Sequence, residues 1–268
     1  MSTYVNGVSA RRDRVERRVP PLGGLNLTLA RIELLRVLRN RRTMIFTAAM
    51  PSLFYVLFGV GQSYSNQNAG NGNVAAYVMI SMAAYGAMIA STGGGAMVAT
   101  ERAQGWSRQL RLTPLSPVAY VGLKLVTAML LGAVAVAIVF AIGAFTGAAL
   151  SSSALWVTTA LIAWAGSTVF AAFGLFMGYL LPSENVMQLI GPALAVLAFA
   201  GGLFVPLQEG SVVEAIAKWT PMYGISQLAH APLTGQDVHW VWVLNVLVWL
   251  AVFSTGAVWR FRKDTARV

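Results

Sequence analysis

The chain has 268 residues, 57% hydrophobic and 10% charged, against the roughly 45–50% and 25% of soluble domains. So few charges cannot clothe a water-soluble surface; the absence of cysteine excludes disulfides, cysteine zinc sites and thiol catalysis, and only His230 and His239 offer imidazole, so no metal centre is expected. A formal charge of +10 fits nucleic acid, anionic lipid or cytoplasmic loops, and only the placement of the charges separates these.

Residues 1–24 are basic, contain Pro20, Pro21 and a Gly-Gly pair, and show no apolar period, which reads as a mobile tail. No aromatic residues interleave its arginines, so it is expected to face anionic lipid or to enforce orientation rather than to bind nucleic acid. Residues 25–42 follow a helical pattern, with Leu25, Leu29, Ile32 and Leu35 on one stripe and arginines between. Arginine stems can snorkel, so this segment is predicted to lie as an amphipathic helix at the membrane interface. Residues 43–268 form the membrane domain. Its apolar stretches, about 43–61, 74–99, 125–148, 154–181, 186–205 and 240–258, contain no Asp, Glu, Lys, Arg or His. Each approaches or exceeds the about 20 helical residues that a bilayer core requires.

Ten basic residues precede the first stretch, four lie between the second and third and four follow the sixth, leaving Lys218 alone on the other side. The positive-inside rule then puts both termini in the cytoplasm. The predicted fold is an all-α membrane protein of six transmembrane helices. No cleaved signal peptide is expected, because the first apolar run is too long and starts too late. The uncharged loop 62–73 suits an external turn. Residues 206–239 carry Ser211 and Glu214 in capping-box spacing, then Pro221 and a second apolar run. They predict two short helices dipping into the outer leaflet, with a small external cap as the alternative.

Chemistry is sparse. There is no Walker A sequence, so ATP and magnesium are not bound by this chain through a P-loop. Gly93-Gly94-Gly95 lies inside an apolar span without a following lysine and reads as close helix packing, as do the G-x-x-x-G pairs Gly143/Gly147 and Gly174/Gly178. The spans offer only hydroxyls such as Ser81, Ser91, Thr127 and Ser167, expected to bond back to their own helices, and no base or paired carboxylates for hydrolysis. Carriers driven by protons or sodium mark their path with intramembrane ionisable groups. These spans have none, so energy for uphill transport must enter through the cytoplasmic surface. In the fifth span Gln188 and Pro192 interrupt an apolar helix, exposing polar backbone that is expected to face protein rather than lipid.

The loop between the second and third spans reads as a charged helical extension, a break at Thr113-Pro114, and a new helix with Ser116 as N-cap and Pro117 as first residue. Its Glu101-Arg102, Gly105, Leu110, Thr113-Pro114-Leu115-Ser116-Pro117 and Lys124 resemble the signature of type-2 ABC exporter permeases, which include bacterial daunorubicin-type drug exporters. Arg41-Arg42 and Pro51 with Phe58-Gly59 look like that family's entry to its first helix. Asn185, Pro192, Gly201-Gly202 and Pro206 look like its fifth, and Trp219-Thr220-Pro221 through Gly235 like its re-entrant segment. Residues 103–107 depart from the common pattern.

The resemblance implies a permease subunit of the bacterial inner membrane, not an enzyme. It would pair with two copies of a separately encoded ABC ATPase, which binds ATP and magnesium, and with a second copy of itself or a related permease. It further implies that Glu101, Arg102, Gly105, Thr113, Pro114, Leu115, Ser116 and Pro117 couple to the ATPase. Pro51, Tyr55, Phe58, Met187, Gln188, Gly191 and Phe204 would line the dimer seam and pathway. Uncharged spans suit a hydrophobic or amphipathic cargo such as a drug, antibiotic or lipid-like compound. A glycan-lipid exporter and a non-transporting assembly or sensory subunit stand as alternatives.

Overall fold

The computed structural model describes residues 27–39, 41–105, 116–208 and 210–266. The 1–24 tail, the start of the interfacial segment and Thr113, Pro114 and Leu115 lie outside them. The described residues form helices α1 (Leu27–Arg39), α2 (Arg41–Gly59), α3 (Val74–Ala96), α4 (Val98–Ala103), α5 (Pro117–Phe145), α6 (Ser153–Leu180), α7 (Ser183–Ala200), α8 (Val212–Ala217), α9 (Pro221–Thr234) and α10 (Trp240–Ala266). Five stretches are long and apolar enough to cross a membrane: Val74–Ala103, Val118–Phe145, Ser153–Leu180, Ser183–Ala200 and Trp240–Lys263. The predicted first span, inside α2, contributes a shorter apolar stretch, Ala49–Gly59.

Helix α3 is the axis of the bundle and packs most extensively on α5 and α6. Small residues make this possible. A Cβ at Gly95 would lie 2.5 Å from the Ala171 carbonyl oxygen, and one at Gly174 would collide with the Thr92 backbone, so the α3 and α6 backbones touch where larger residues would hold them apart. Gly178 belongs to the same seam, its Cβ position 3.1 Å from the Ala96 carbonyl. Gly143 packs under Met79, but Gly147 has φ +97° and turns the chain after α5, so the second G-x-x-x-G pair is half seam and half turn. Ser91 also departs from expectation: its hydroxyl donates across to Ser167 at 3.1 Å.

Ends of helices follow local chemistry. Ser116 Oγ accepts from the Ala119 amide and Pro117 is the first residue of α5, which therefore begins eight residues before the apolar run at 125. Helix α7 stops at Ala200, short of the predicted 205. Gly202 (φ +72°) closes a Schellman turn in which the Leu203 amide bonds Ala198 O at 3.0 Å and the Gly202 amide bonds Phe199 O at 3.1 Å. Helix α10 runs on past 258 to Ala266. There the Lys263 ammonium lies 4.0 Å from the centre of the Trp259 ring, so an aromatic face lets a basic turn continue the helix.

Both short helices expected in 206–239 are present. Ser211 Oγ accepts from the Glu214 amide at 3.1 Å, whereas the Glu214 carboxylate accepts from Gly210 N at 2.8 Å, a capping box displaced by one residue. Helix α9 buries most of its length among α3, α6 and α10.

Candidate functional site

At one end of the bundle, charged side chains are buried together. Glu101 ends the α3–α4 rod, Lys124 stands two turns into α5 and Glu33 lies midway along α1. They are 2%, 3% and 4% exposed. One Glu101 oxygen accepts from Lys124 Nζ at 2.6 Å and from Arg36 Nη1 at 2.8 Å. The other accepts from the Tyr120 hydroxyl at 2.7 Å. Lys124 also donates to Glu33 at 3.0 Å, so two carboxylates and two cations balance.

Desolvating charges is costly, and only mutual pairing with full hydrogen bonding repays it. Once formed, the cluster resists separation of its helices, because pulling out any member strands the others in a low-dielectric setting. It therefore makes α1, α3–α4 and α5 move as one piece at this end.

Arg102, the neighbour of Glu101, turns toward α6. Its Nη1 donates to Gly178 O at 3.0 Å and Tyr179 O at 3.1 Å, placing a cation on carbonyls of the helix C-terminus, where the macrodipole favours it. Tyr120 and Tyr179 both contact Phe261 of α10, with ring centres 5.4 and 5.7 Å apart. Four helices and α1 thus meet within one polar and aromatic knot. Gly105 (φ +76°) turns the chain just beyond it.

The other expected residues divide. Pro51 is buried where α2 crosses α3, its ring 3.0 Å from a Cβ position on Gly86. Tyr55 is fully buried, its hydroxyl 3.1 Å from Thr146 Oγ1. Phe204 packs on Tyr85 and Phe199, with ring centres at 5.1 and 4.8 Å. Phe58, Gln188 and Gly191 instead lie on exposed faces of α2 and α7. The side chain of Met187 is not described. Glu33, Arg36 and Tyr120 were missed as site residues in the sequence. Glu33 carried a signal, since it is the only acidic residue among the arginines of 25–42.

An all-helical bundle with five membrane-crossing candidates and a charged knot at one end defines a multi-pass membrane protein. The family model described as ABC-2 type transporter matches residues 25–233, and the chain belongs to that family. It is thus the membrane subunit of a transporter rather than a catalyst, and membership implies an ABC ATPase as partner. It is also 26% identical, over 87% of its length and 96% of the relative's, to "Putative transport permease YvfS" of Bacillus subtilis (strain 168).

Proposed function

We propose that the chain is the permease of an ATP-driven exporter that carries a hydrophobic or amphipathic compound out across a bacterial inner membrane. In this reading α2 is a sixth span, both termini are cytoplasmic, and α9 is a re-entrant element at the outer side. Two ATPase copies bind ATP and magnesium. Two permease copies, or this chain and a related one, meet along α2 and α7, whose exposed Phe58, Gln188 and Gly191 provide the seam.

The observation that carries the reading is the buried Glu33–Lys124–Glu101–Arg36 cluster. It joins the interfacial helix to the end of one span and the start of the next, beside the segment 101–117 that resembles an ATPase-contacting loop. A push on α1 or on that segment is transmitted rather than absorbed, because a buried ion-pair network has no cheap partly separated state. Glu101 and Arg102 act from within, as positioning residues. Gly105 and Thr113 through Pro117 are the residues proposed to meet the ATPase.

The test is coexpression with the ATPase. A Glu101→Lys variant should still insert and still bind ATPase, yet hydrolyse ATP without export of an amphipathic dye. Normal export by a well-expressed Glu101→Lys, Pro117→Gly double variant would place the coupling elsewhere.

A further inference from the structure

Two cavities adjoin the same ion pair at the end of the bundle away from the charge cluster. Lys218 Nζ and Glu214 Oε1 are 2.9 Å apart, with 47% and 14% of their side chains exposed. On the Lys218 side a groove of about 730 Å³ runs between α8 and α10, lined by Ala215, Lys218, Trp219, Leu244, Val248 and Trp249. On the Glu214 side a cavity of about 530 Å³ is lined by Glu214, Tyr223, Gln227, Asp237, His239 and Trp242. The first is apolar and the second polar.

The groove lies on the lipid-facing side of a membrane helix. Leu244, Leu247 and Val248 are about half exposed on α10, inside the stretch Trp240–Lys263 that is apolar enough to cross the bilayer. Across from them, Val212, Val213, Ile216 and Trp219 of α8 and its C-terminal turn are largely exposed, Trp219 at 82%. An exposed tryptophan beside a lysine is the pattern of the bilayer interface, where an indole sits at headgroup level and an ammonium reaches for phosphate. Asn245 holds the two walls together, donating to Lys218 O at 2.9 Å and Thr220 O at 3.2 Å and accepting from the Gly224 amide at 3.3 Å.

We propose that this composite site binds a bilayer phospholipid with a primary-ammonium headgroup, of the phosphatidylethanolamine type. One acyl chain fills the α8–α10 groove and the phosphate meets Lys218. The ammonium turns into the polar cavity toward Glu214 and Asp237. The headgroup carries an anion and a cation in the order in which the protein presents a cation and carboxylates, so the exposed Glu214–Lys218 bond, weak in itself, is exchanged for two charge-assisted contacts. A glycerol headgroup lacks the cation, and a trimethylammonium lacks N–H donors for the carboxylates and the Gln227 and Gln236 carbonyls. Assignment to the outer leaflet rests on the orientation proposed above; the site itself does not.

The test uses the full chain, purified in detergent and stripped of lipid. It is titrated with dioleoyl phosphatidylethanolamine, phosphatidylcholine or phosphatidylglycerol, with complexes counted by native mass spectrometry. Phosphatidylethanolamine should bind about tenfold more tightly than either other lipid. Glu214→Gln with Asp237→Asn should erase that preference while retaining acyl-chain binding. Leu244→Trp, which fills the groove from an exposed position, should weaken all three lipids, whereas Leu247→Trp outside it should weaken none. Equal affinities in the native chain, or equal effects of the two tryptophans, would overturn the site. Labelling of Gln236→Cys from the cytoplasmic side alone would overturn only the leaflet.

Discussion

At the charged end, Glu33, Arg36, Glu101 and Lys124 join three helices through groups that are, apart from Arg36, almost entirely buried. At the far end the joints are neutral. Asn73 caps α3 by accepting from the Ala76 amide at 2.9 Å, and also accepts from Ala149 N at 3.0 Å and donates to Gly147 O at 2.9 Å. The Asn71 side chain donates to Pro232 O at 3.0 Å, while the Asn71 backbone carbonyl accepts from Ser151 N at 2.8 Å and the Asn71 backbone amide donates to Leu233 O. His230 fastens α9 to α3 through Ser81, 3.0 Å from its Nε2, and through a stack on Tyr77 at 4.1 Å.

The difference lies in what happens when a joint is pulled. Neutral donors and acceptors can trade partners with water at a net cost of about 1 kcal/mol each. A buried carboxylate that loses its cation cannot. The charged end thus resists separation, whereas the loops and α9 at the far end can open and reclose at smaller cost.

The largest expected effect is at Lys124. Lys124→Met leaves Glu33 and Glu101 buried with only Arg36 between them and should cost about 3–5 kcal/mol in unfolding by a denaturing detergent. Combining it with Glu33→Leu and Glu101→Leu should recover most of the loss. Failure to recover would mean that packing, not charge, holds this end. Asn73→Ala should cost less, about 1–3 kcal/mol, because it strips several neutral bonds near water. Asn73→Asp, which keeps both acceptor contacts, should fall between.

Acid sharpens the comparison on the far side. Burial pushes the His230 imidazole below its ordinary value of 6.5, opposed by its hydrogen bonds to Ser226 and Tyr77 carbonyls. The native state therefore binds fewer protons than the unfolded one, and this contribution, complete above 6.5, is lost as pH falls beneath it. Tyr77 is the titratable side chain stacked on the ring, and Ser81 the hydroxyl against it. Hydrogen exchange of α9 amides should quicken as pH falls below 6.5. His230→Gln should flatten that dependence.

The smallest effect is at Glu214, held below the ordinary carboxylate value of 4.5 by its hydrogen bond to Lys218 and by the Gly210 amide. Its contribution is complete above 4.5 and is lost as pH falls through its lowered value. Exchange in Val212–Ala217 should therefore quicken at pH 4, and Glu214→Gln should remove that response while leaving the α9 response unchanged.

The helices were legible because a bilayer demands long uninterrupted apolar runs, and the loop cap because Ser116-Pro117 is strong local chemistry. Interruption of 186–205 at Gly201-Gly202 was harder to see. Glycine is common inside membrane helices, and only the bonds from Gly202 and Leu203 back to Phe199 and Ala198 make it a stop. The expected pathway residues show the same limit, with Tyr55 sealed inside the chain and Phe58 outside it, because rotation about a helix axis is set by its neighbours when every face is apolar.

By itself the sequence determined the class of the protein, its helical content and the segregation of its basic residues. Those are properties of composition and local order, which the chain carries wherever it goes. Tertiary structure alone decided that Glu33 of α1 and Lys124 of α5 meet Glu101, that His230 meets Ser81, and that two unlike cavities share one ion pair. The first two depend on side chains many residues apart being brought within about 3 Å, the reach of a hydrogen bond, by the packing of α1, α5 and α9 against the α3–α4 rod; the third depends on α8 lying beside α10.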